Sequence, residues 1–443
     1  MNACTIPRRR FVQRAFAAGV LFPFVARRSW AVAPNDRIGH VSFGAGGMAG
    51  ADLGSIAGHP NVDVVAAAEI DANTAAAFQK KFPKAKVYAD WRELLRTEAR
   101  NFDTANVSTP DHMHAPIAMS AMRLGKHVYV QKPLTHEVFE SRRLREYASS
   151  RGLVTQMGIQ VHSDGAYRTA VARVQSGAIG KVKSVHTWSS KKWGDTNPRP
   201  ERVDALPANL NWDHWCGVVE KVPYLGGGYY HPGNWRKRLA FGTGTFGDMG
   251  CHIYDPVYKA LALTAPLSLE SQGPAPRGHN WAINARIRYV FPATEFTVAP
   301  TVEVTWYDGD QRPPQAIAAL LEGDALPDQG SILIGTEGVM LIPHVSGPRL
   351  YPKNKFAGAK FDAVPGANHW HQFIDAVRGK GRTSAGFDYS GPLTEAVLLG
   401  GIATHFPNVP LQWDAAKLAF SNSKEATALV RREYRKGWEV AGL

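Results

Sequence analysis

The stretch IGHVSFGAGGMA, residues 38–49, decides the fold. Ile38 to Phe43 reads as a strand, and Gly44-Ala45-Gly46-Gly47-Met48-Ala49 follows at once in the pattern G-x-G-x-x-A. In a dinucleotide-binding turn the first glycine permits the tight bend and the second lets a pyrophosphate approach the backbone. The small third residue lets helix and strand pack closely, and the helix presents its unpaired N–H groups to phosphate. Alone, such a turn is a weak signal. Val62 to Ala68 then reads as a second strand, ending on Glu69-Ile70-Asp71 about twenty residues beyond the glycines, the spacing the dinucleotide pattern requires. An acid at that strand end accepts hydrogen bonds from the adenosine ribose and repels a 2′-phosphate. No arginine stands beside it, so the expected cofactor is NAD rather than NADP. The plainer alternative for Glu69, a solvated charge at a strand end, is outweighed by the glycines before it.

From there strand and helix alternate. A helix near 72–82, a short strand at Lys86–Tyr88 and a helix from Asp90 come first. A strand over Phe102–Val107 and a helix over 115–124 lead into Val128-Tyr129-Val130. This alternation predicts an α/β fold with a doubly wound parallel sheet, whose ligands sit at the carboxyl ends of the strands. The fingerprint, Glu69, Thr109-Pro110 and Lys132 all stand at such ends. A buried strand that empties into Gln131-Lys132-Pro133 fixes the backbone behind a cation. That suits a lysine aimed at a bound molecule, near the nicotinamide half of the cofactor.

Beyond about residue 160 the pattern changes. A helix (Tyr167–Ser176) and a strand (Val182–Trp188) open a region with long connections. Five of the twelve tryptophans (Trp188, Trp193, Trp212, Trp215, Trp235) fall in it before residue 236, an aromatic insertion that suits the apolar faces of sugar rings. Segments at 281–291, 298–306, 331–334 and 339–342 read as strands of an antiparallel sheet. The expected organisation is a NAD-binding domain over 35–160 and a substrate-binding α+β domain over 161–443. Polar connections near 194–210 and 308–330 are expected to run over the site. Within the second domain, Gly247-Asp248-Met249-Gly250-Cys251-His252-Ile253-Tyr254-Asp255 places Asp248, His252 and Asp255 at i, i+4 and i+7 on one helical face. A histidine beside a carboxylate is suited to proton transfer. An N-cap aspartate with a core histidine is the bland alternative.

GAGGMA, then STPDHMHAP (108–116), then GKHVYVQKPLTH (125–136), in that order, resembles the Gfo/Idh/MocA family of sugar and cyclitol oxidoreductases. The family's Glu-Lys-Pro signature appears here as Gln131-Lys132-Pro133, and the D-x-x-x-H spacing is its second signature. Residues 387–396 and 431–438 also resemble the ends of its longer, exported members. The resemblance implies an open-faced sheet covering the nicotinamide and an oxidation at a secondary hydroxyl of a sugar, cyclitol or glycoside. Lys132 would steady the developing alkoxide, His252 would take the proton and Asp248 would orient the imidazole. The residues expected at the cofactor are Gly44, Gly46, Gly47, Met48, Glu69, Asp71, Thr109, Pro110, His114, Gln131, Lys132, Gln160, Trp235 and Arg236. Two other classes remain open: net hydrolysis or elimination of a glycoside through transient oxidation on bound NAD, and a sugar-binding protein that has lost catalysis.

The formal charge of +13 does not imply a nucleic-acid partner. Six of the positive charges (Arg8, Arg9, Arg10, Arg14, Arg27, Arg28) lie in the first 33 residues, and the rest form no basic stripe interleaved with aromatics. Arg8-Arg9-Arg10-Phe11-Val12, a short apolar stretch and Ala31-Val32-Ala33 resemble a twin-arginine export signal over 1–33. A basic, frayed N-terminal helix is the alternative. The expectation is a periplasmic protein with its cofactor tightly held, not inserted in a membrane after cleavage, and a homo-oligomer (dimer or tetramer). The three cysteines form no framework, and the pairs His112/His114 and His369/His371 lack a third ligand at suggestive spacing, so no metal is expected.

Overall fold

The computed structural model describes residues 37–359 and 362–443; the expected export segment lies outside them. Six parallel strands form the first sheet, β1 (Ile38–Phe43), β2 (Val62–Ala68), β3 (Lys86–Tyr88), β4 (Thr104–Val107), β5 (His127–Gln131) and β6 (Thr155–Gly158), in the order β3-β2-β1-β4-β5-β6. The order reverses at β1, where the crevice for a dinucleotide opens. These strands carry near-continuous apolar runs because helices cover both faces. Val41, Phe43, Ala105, Val107, Val128 and Val130 are fully buried.

The second sheet is built from β7 (Val182–Ser189), β8 (Ser268–Ser271), β9 (Arg286–Pro292), β10 (Thr301–Asp308), β11 (Gln329–Gly335), β12 (Val339–Pro343), β13 (Arg349–Tyr351), β14 (Leu411–Asp414) and β15 (Ala419–Phe420). Their order is β13-β12-β11-β7-β10-β9-β8-β14-β15. Near its centre β7 runs parallel to β10 and antiparallel to β11. The remaining pairings are antiparallel. The strand expected from Trp281 starts only at Arg286, because Trp281 turns aside: its N–H donates to Lys237 O and its indole to Gly242 O. The 308–330 connection, expected over the site, instead buries Leu321 on the sheet with Trp188, Tyr307 and Tyr351.

The two sheets belong to one compact unit. The boundary expected at 160/161 falls in a single 3₁₀ turn, Gln160–Ser163. Two helices of the C-terminal half return to the nucleotide domain. His369–Val377 sets Phe373, Ile374 and Val377 among Ile38, Ile56, Val62 and Tyr129. Phe387–Ala403 lies against Val138–Arg151, where Arg142 and Glu395 pair at 2.7 Å.

The insertion between β7 and residue 243 has its own small core of Leu210, Trp212, Trp215, Cys216, Leu225, Tyr230, Trp235 and Phe241. Trp212 and Trp215 stack at 4.6 Å. Most of these aromatics are buried against one another, while Trp215 and Trp235 also reach the cleft described below. This strap is pinned to the carboxyl end of β2. Ala72 N–H donates to Asn209 O, Asn211 N–H donates to Ile70 O, and the Asn209 amide donates to Asp71 at 2.9 Å.

Candidate active site

The glycine turn opens a cleft of about 290 Å³ between the first sheet and the strap. Gly44, Gly46, Gly47, Met48, Glu69, Thr109, Pro110, His114, Gln131 and Lys132 line one wall; His214, Trp215, His231, Pro232, Trp235 and Arg236 line the other. Gly44 sits at φ +88°, where a side chain would be strained, and a Cβ there would meet both Ala49 and Ser108 O at 3.1 Å. The following helix, Gly47–Ala57, has a glycine N-cap, no side-chain cap and no acid in its first turn. Its N–H groups are therefore open to an anion. The Glu69 carboxylate accepts from Ala45 N–H at 2.8 Å and from the N–H groups of Ile70 and Asp71, so it is fixed beside the turn by backbone.

Two expected cofactor residues lie elsewhere. Asp71 is the N-cap of helix Ala72–Lys81, accepting from Asn73 N–H, and its carboxylate also receives Asn209; it holds the strap rather than facing the cleft. Gln160 falls in the turn after β6, outside the cleft lining. His114 links the ends of two strands, its ring nitrogens lying 2.8 Å from Thr109 O and Pro133 O.

Lys132 follows β5 directly, and its Nζ donates to Asp248 Oδ1 at 2.5 Å and to Asp248 O at 2.9 Å. Arg236 Nε donates to the same carboxylate oxygen at 3.1 Å, while its guanidinium stacks 4.3 Å from the Trp235 ring. Only 9% of the Lys132 side chain and 12% of Asp248 are exposed, so the pair is shielded from water. Burial opposes ionisation of Asp248, but the Lys132 and Arg236 cations outweigh it and hold the carboxyl well below the usual range.

The helix carrying Asp248 runs from Gly244 to Ile253, with Thr243 as its N-cap residue, so Asp248 lies in its second turn and not at its N-cap. It ends before Asp255, which begins a second short helix with Pro256 in its first turn. Asp255 therefore does not share a continuous face with Asp248 and His252. Its carboxylate pairs with His162 at 2.8 Å and accepts from Tyr389. Nor does Asp248 orient His252 by a hydrogen bond. The lysine and arginine occupy the carboxylate, and Nδ1 of His252 has no hydrogen-bond partner. His252 is buried with its ring 6.0 Å from that of His344, and both line a separate small cavity of about 20 Å³ that shares no lining residue with the cleft. Burial first, and the Lys132 charge second, push its pKa well down, so the imidazole rests neutral and its cation is disfavoured.

Two residues of the site escape sequence reasoning: Asp52, fully buried behind Gln131, and His344 beside His252. The glutamine that precedes the lysine, where the family signature has glutamate, is the available signal for the first.

A family model described as an oxidoreductase family, NAD-binding Rossmann fold, matches residues 38–159, and one described as an oxidoreductase family, C-terminal alpha/beta domain, matches 174–440. The cofactor is accordingly NAD. Levoglucosan dehydrogenase of Pseudarthrobacter phenanthrenivorans is 23% identical over 188 residues, 42% of this chain and 40% of that protein. The scyllo-inositol 2-dehydrogenase (NAD(+)) of Bacillus subtilis is 33% identical over 84 residues, 19% of this chain and 25% of that protein. The chain thus matches less than half the length of these curated relatives. Among solved structures, the WlbA dehydrogenase from Bordetella pertussis, in complex with NADH and UDP-GlcNAcA, is similar in fold with a TM-score of 0.61 and 13% identity, covering 85% of this chain and 99% of that one.

Proposed function

This chain belongs to the Gfo/Idh/MocA oxidoreductase family, and from that premise we propose that it oxidises a secondary hydroxyl of a sugar, cyclitol or glycoside on NAD that it retains between turnovers. The observation that carries the reading is the shielded Lys132–Asp248 pair at one end of a cleft whose other end is the glycine cradle and Glu69. When bound, NAD supplies the two-electron oxidant. An ammonium has three N–H donors, and Lys132 gives two to Asp248, leaving one for the substrate oxygen. Asp248, held ionised, aims that lysine, so the developing alkoxide meets a fixed donor. His252, neutral and one helical turn from Asp248, takes the hydroxyl proton.

Dehydrogenases for levoglucosan and scyllo-inositol among the relatives support the substrate class. Retention is supported by the strap, which crosses the adenosine side of the cleft and is hydrogen-bonded to Ile70, Asp71 and Ala72. The arginine-rich start of the chain supports a periplasmic site of action, where a retained cofactor would have to be recycled within the site. Purified protein incubated with scyllo-inositol, levoglucosan and a panel of glycosides is expected to form a ketone and reduced nicotinamide. Protein that neither carries nicotinamide nor binds NAD by calorimetry would sink the proposal. Release of an aglycone from aryl glycosides without net reduction would replace it with hydrolysis.

A further inference from the structure

Asp52 lies on the helix that follows the glycine turn, yet it faces away from the cleft and is fully buried. Four donors converge on it. Oδ2 accepts from Ser108 Oγ at 2.8 Å and from the Gln131 amide at 2.9 Å. Oδ1 accepts from Trp370 Nε1 at 2.8 Å and from Tyr129 OH at 3.4 Å. The other end of the Gln131 side chain, Oε1, accepts the backbone N–H of Lys132 at 3.2 Å. The amide has little freedom otherwise, since a Cβ on Gly158 would lie 2.6 Å from its nitrogen.

We propose that Asp52 is a positioning residue for Lys132, acting through Gln131. An amide can face Lys132 N–H with its oxygen only if its nitrogen has an acceptor on the other side. Asp52 is that acceptor. With an asparagine at position 52, one oxygen cannot serve both the Gln131 amide and Trp370 Nε1, which bond opposite oxygens of Asp52, so one of the two would face an NH₂ group; if Gln131 turned over, its nitrogen would face Lys132 N–H instead. Either way one donor–donor contact replaces a hydrogen bond. The converse arrangement, a carboxylate at position 131 and an amide at position 52, satisfies both side chains, Trp370 Nε1 and Lys132 N–H, at the cost of the acceptor of the Ser108 hydroxyl alone. The amide nitrogen at 52 would donate to the carboxylate at 131, whose second oxygen would receive Lys132 N–H. The site thus holds one carboxyl group behind the lysine, at 52 rather than at 131. Two carboxylates 2.9 Å apart, the separation of Gln131 Nε2 from Asp52 Oδ2, would repel, and two amides would lose the bond.

This inference rests on Lys132 being the residue at the reacting hydroxyl, so its test does not use turnover. Competitive acetylation with acetic anhydride, read by mass spectrometry against the exposed lysines, reports how firmly Lys132 is held on Asp248. In Asp52→Leu, which leaves the Gln131 amide without an acceptor, and in Gln131→Glu, Lys132 should be acetylated about fivefold to tenfold faster than in the parent, as expected for losing one hydrogen bond. The double variant Asp52→Asn/Gln131→Glu should return to the parent rate. If Gln131→Glu does not fold, Gln131→Met, which removes the amide without adding charge, should show the same acceleration. Single variants with the parent rate overturn the proposal, as does a double variant that stays fast. A lower melting temperature with unchanged Lys132 acetylation assigns Asp52 a structural role only. Turnover of Lys132→Met, measured separately, bears on the catalytic assignment and not on this one.

Discussion

The Lys132 ammonium is shielded, doubly bonded to Asp248 and placed at the carboxyl end of β5. Lys132→Met should leave NAD affinity within about twofold by calorimetry, because the glycine cradle and Glu69 hold the opposite end. Turnover should fall about a hundredfold to a thousandfold, the usual cost of losing a donor to a developing oxyanion. His252→Ala should lose a comparable factor and regain part of it at high pH, where hydroxide replaces the missing base. A near-parent rate for either variant would move the chemistry to other residues. Glu69→Ala separates binding from chemistry. It should weaken NAD and narrow the preference over NADP, with the rate on saturating cofactor nearly unchanged; unchanged discrimination would remove Glu69 from the ribose site. These residues were legible because each stands at a strand end or at helical spacing in a short motif. Asp52 was not, because nothing local links it to Gln131, 79 residues away. The pairing of Asp248 with Lys132 rather than His252 was hidden for the same reason, being made across 116 residues.

At the scale of elements, the parallel sheet was readable because its strands alternate with amphipathic helices, and the predicted strands of the second sheet needed only end corrections. The strap was read as a sugar-facing aromatic surface. Composition gives no direction: Trp212 and Tyr230 read the same whether they face a ligand or each other, and here they pack on each other, while Trp215 and Trp235 also line the cleft. What makes the strap functional is polar and long-range, the Asn209–Asp71 hydrogen bond with its two backbone neighbours. Asn209→Ala removes the side-chain bond and leaves the aromatic core intact. NAD should leave this variant roughly threefold to tenfold faster, measured by displacement with a fluorescent analogue, since one such bond contributes about 1 kcal/mol. An unchanged dissociation rate would mean that the strap does not retain the cofactor. Turnover with NAD in excess should be little affected.

The whole molecule buries an unusual set of histidines as neutral rings. Burial pushes His40, His127, His186 and His369 down to about 4, and His112 to about 3. His40 shows the reason: in the middle of the parallel sheet, its ring nitrogens are held 2.9 Å from Thr104 Oγ1 and Asn106 Oδ1, out of reach of water. In the unfolded chain each of these rings protonates near pH 6.5. Their contribution to stability is therefore fully present above pH 6.5 and is lost as pH falls through the folded values. Asp308 works the other way, because burial lifts it to about 7 and folding then favours its protonated form as pH falls. Burial raises Asp52 and Glu140 as well, but it also lowers His59, His114, His252, His344 and His405, so the histidines outnumber the opposing carboxyls. Each net proton that the unfolded state takes up costs about 1.4 kcal/mol of stability per pH unit. Between pH 7.5 and pH 5 the net loss should be on the order of 5 kcal/mol, visible as a clear drop in the urea midpoint. The alkaline side, from pH 7.5 to 8.5, should be nearly flat, since none of these histidines changes charge there. A midpoint at pH 5 equal to or above that at pH 7.5 would show that the histidines are open to protons in the folded state. The network of His40, Thr104 and Asn106 behind the cofactor turn would then not be the closed structure described.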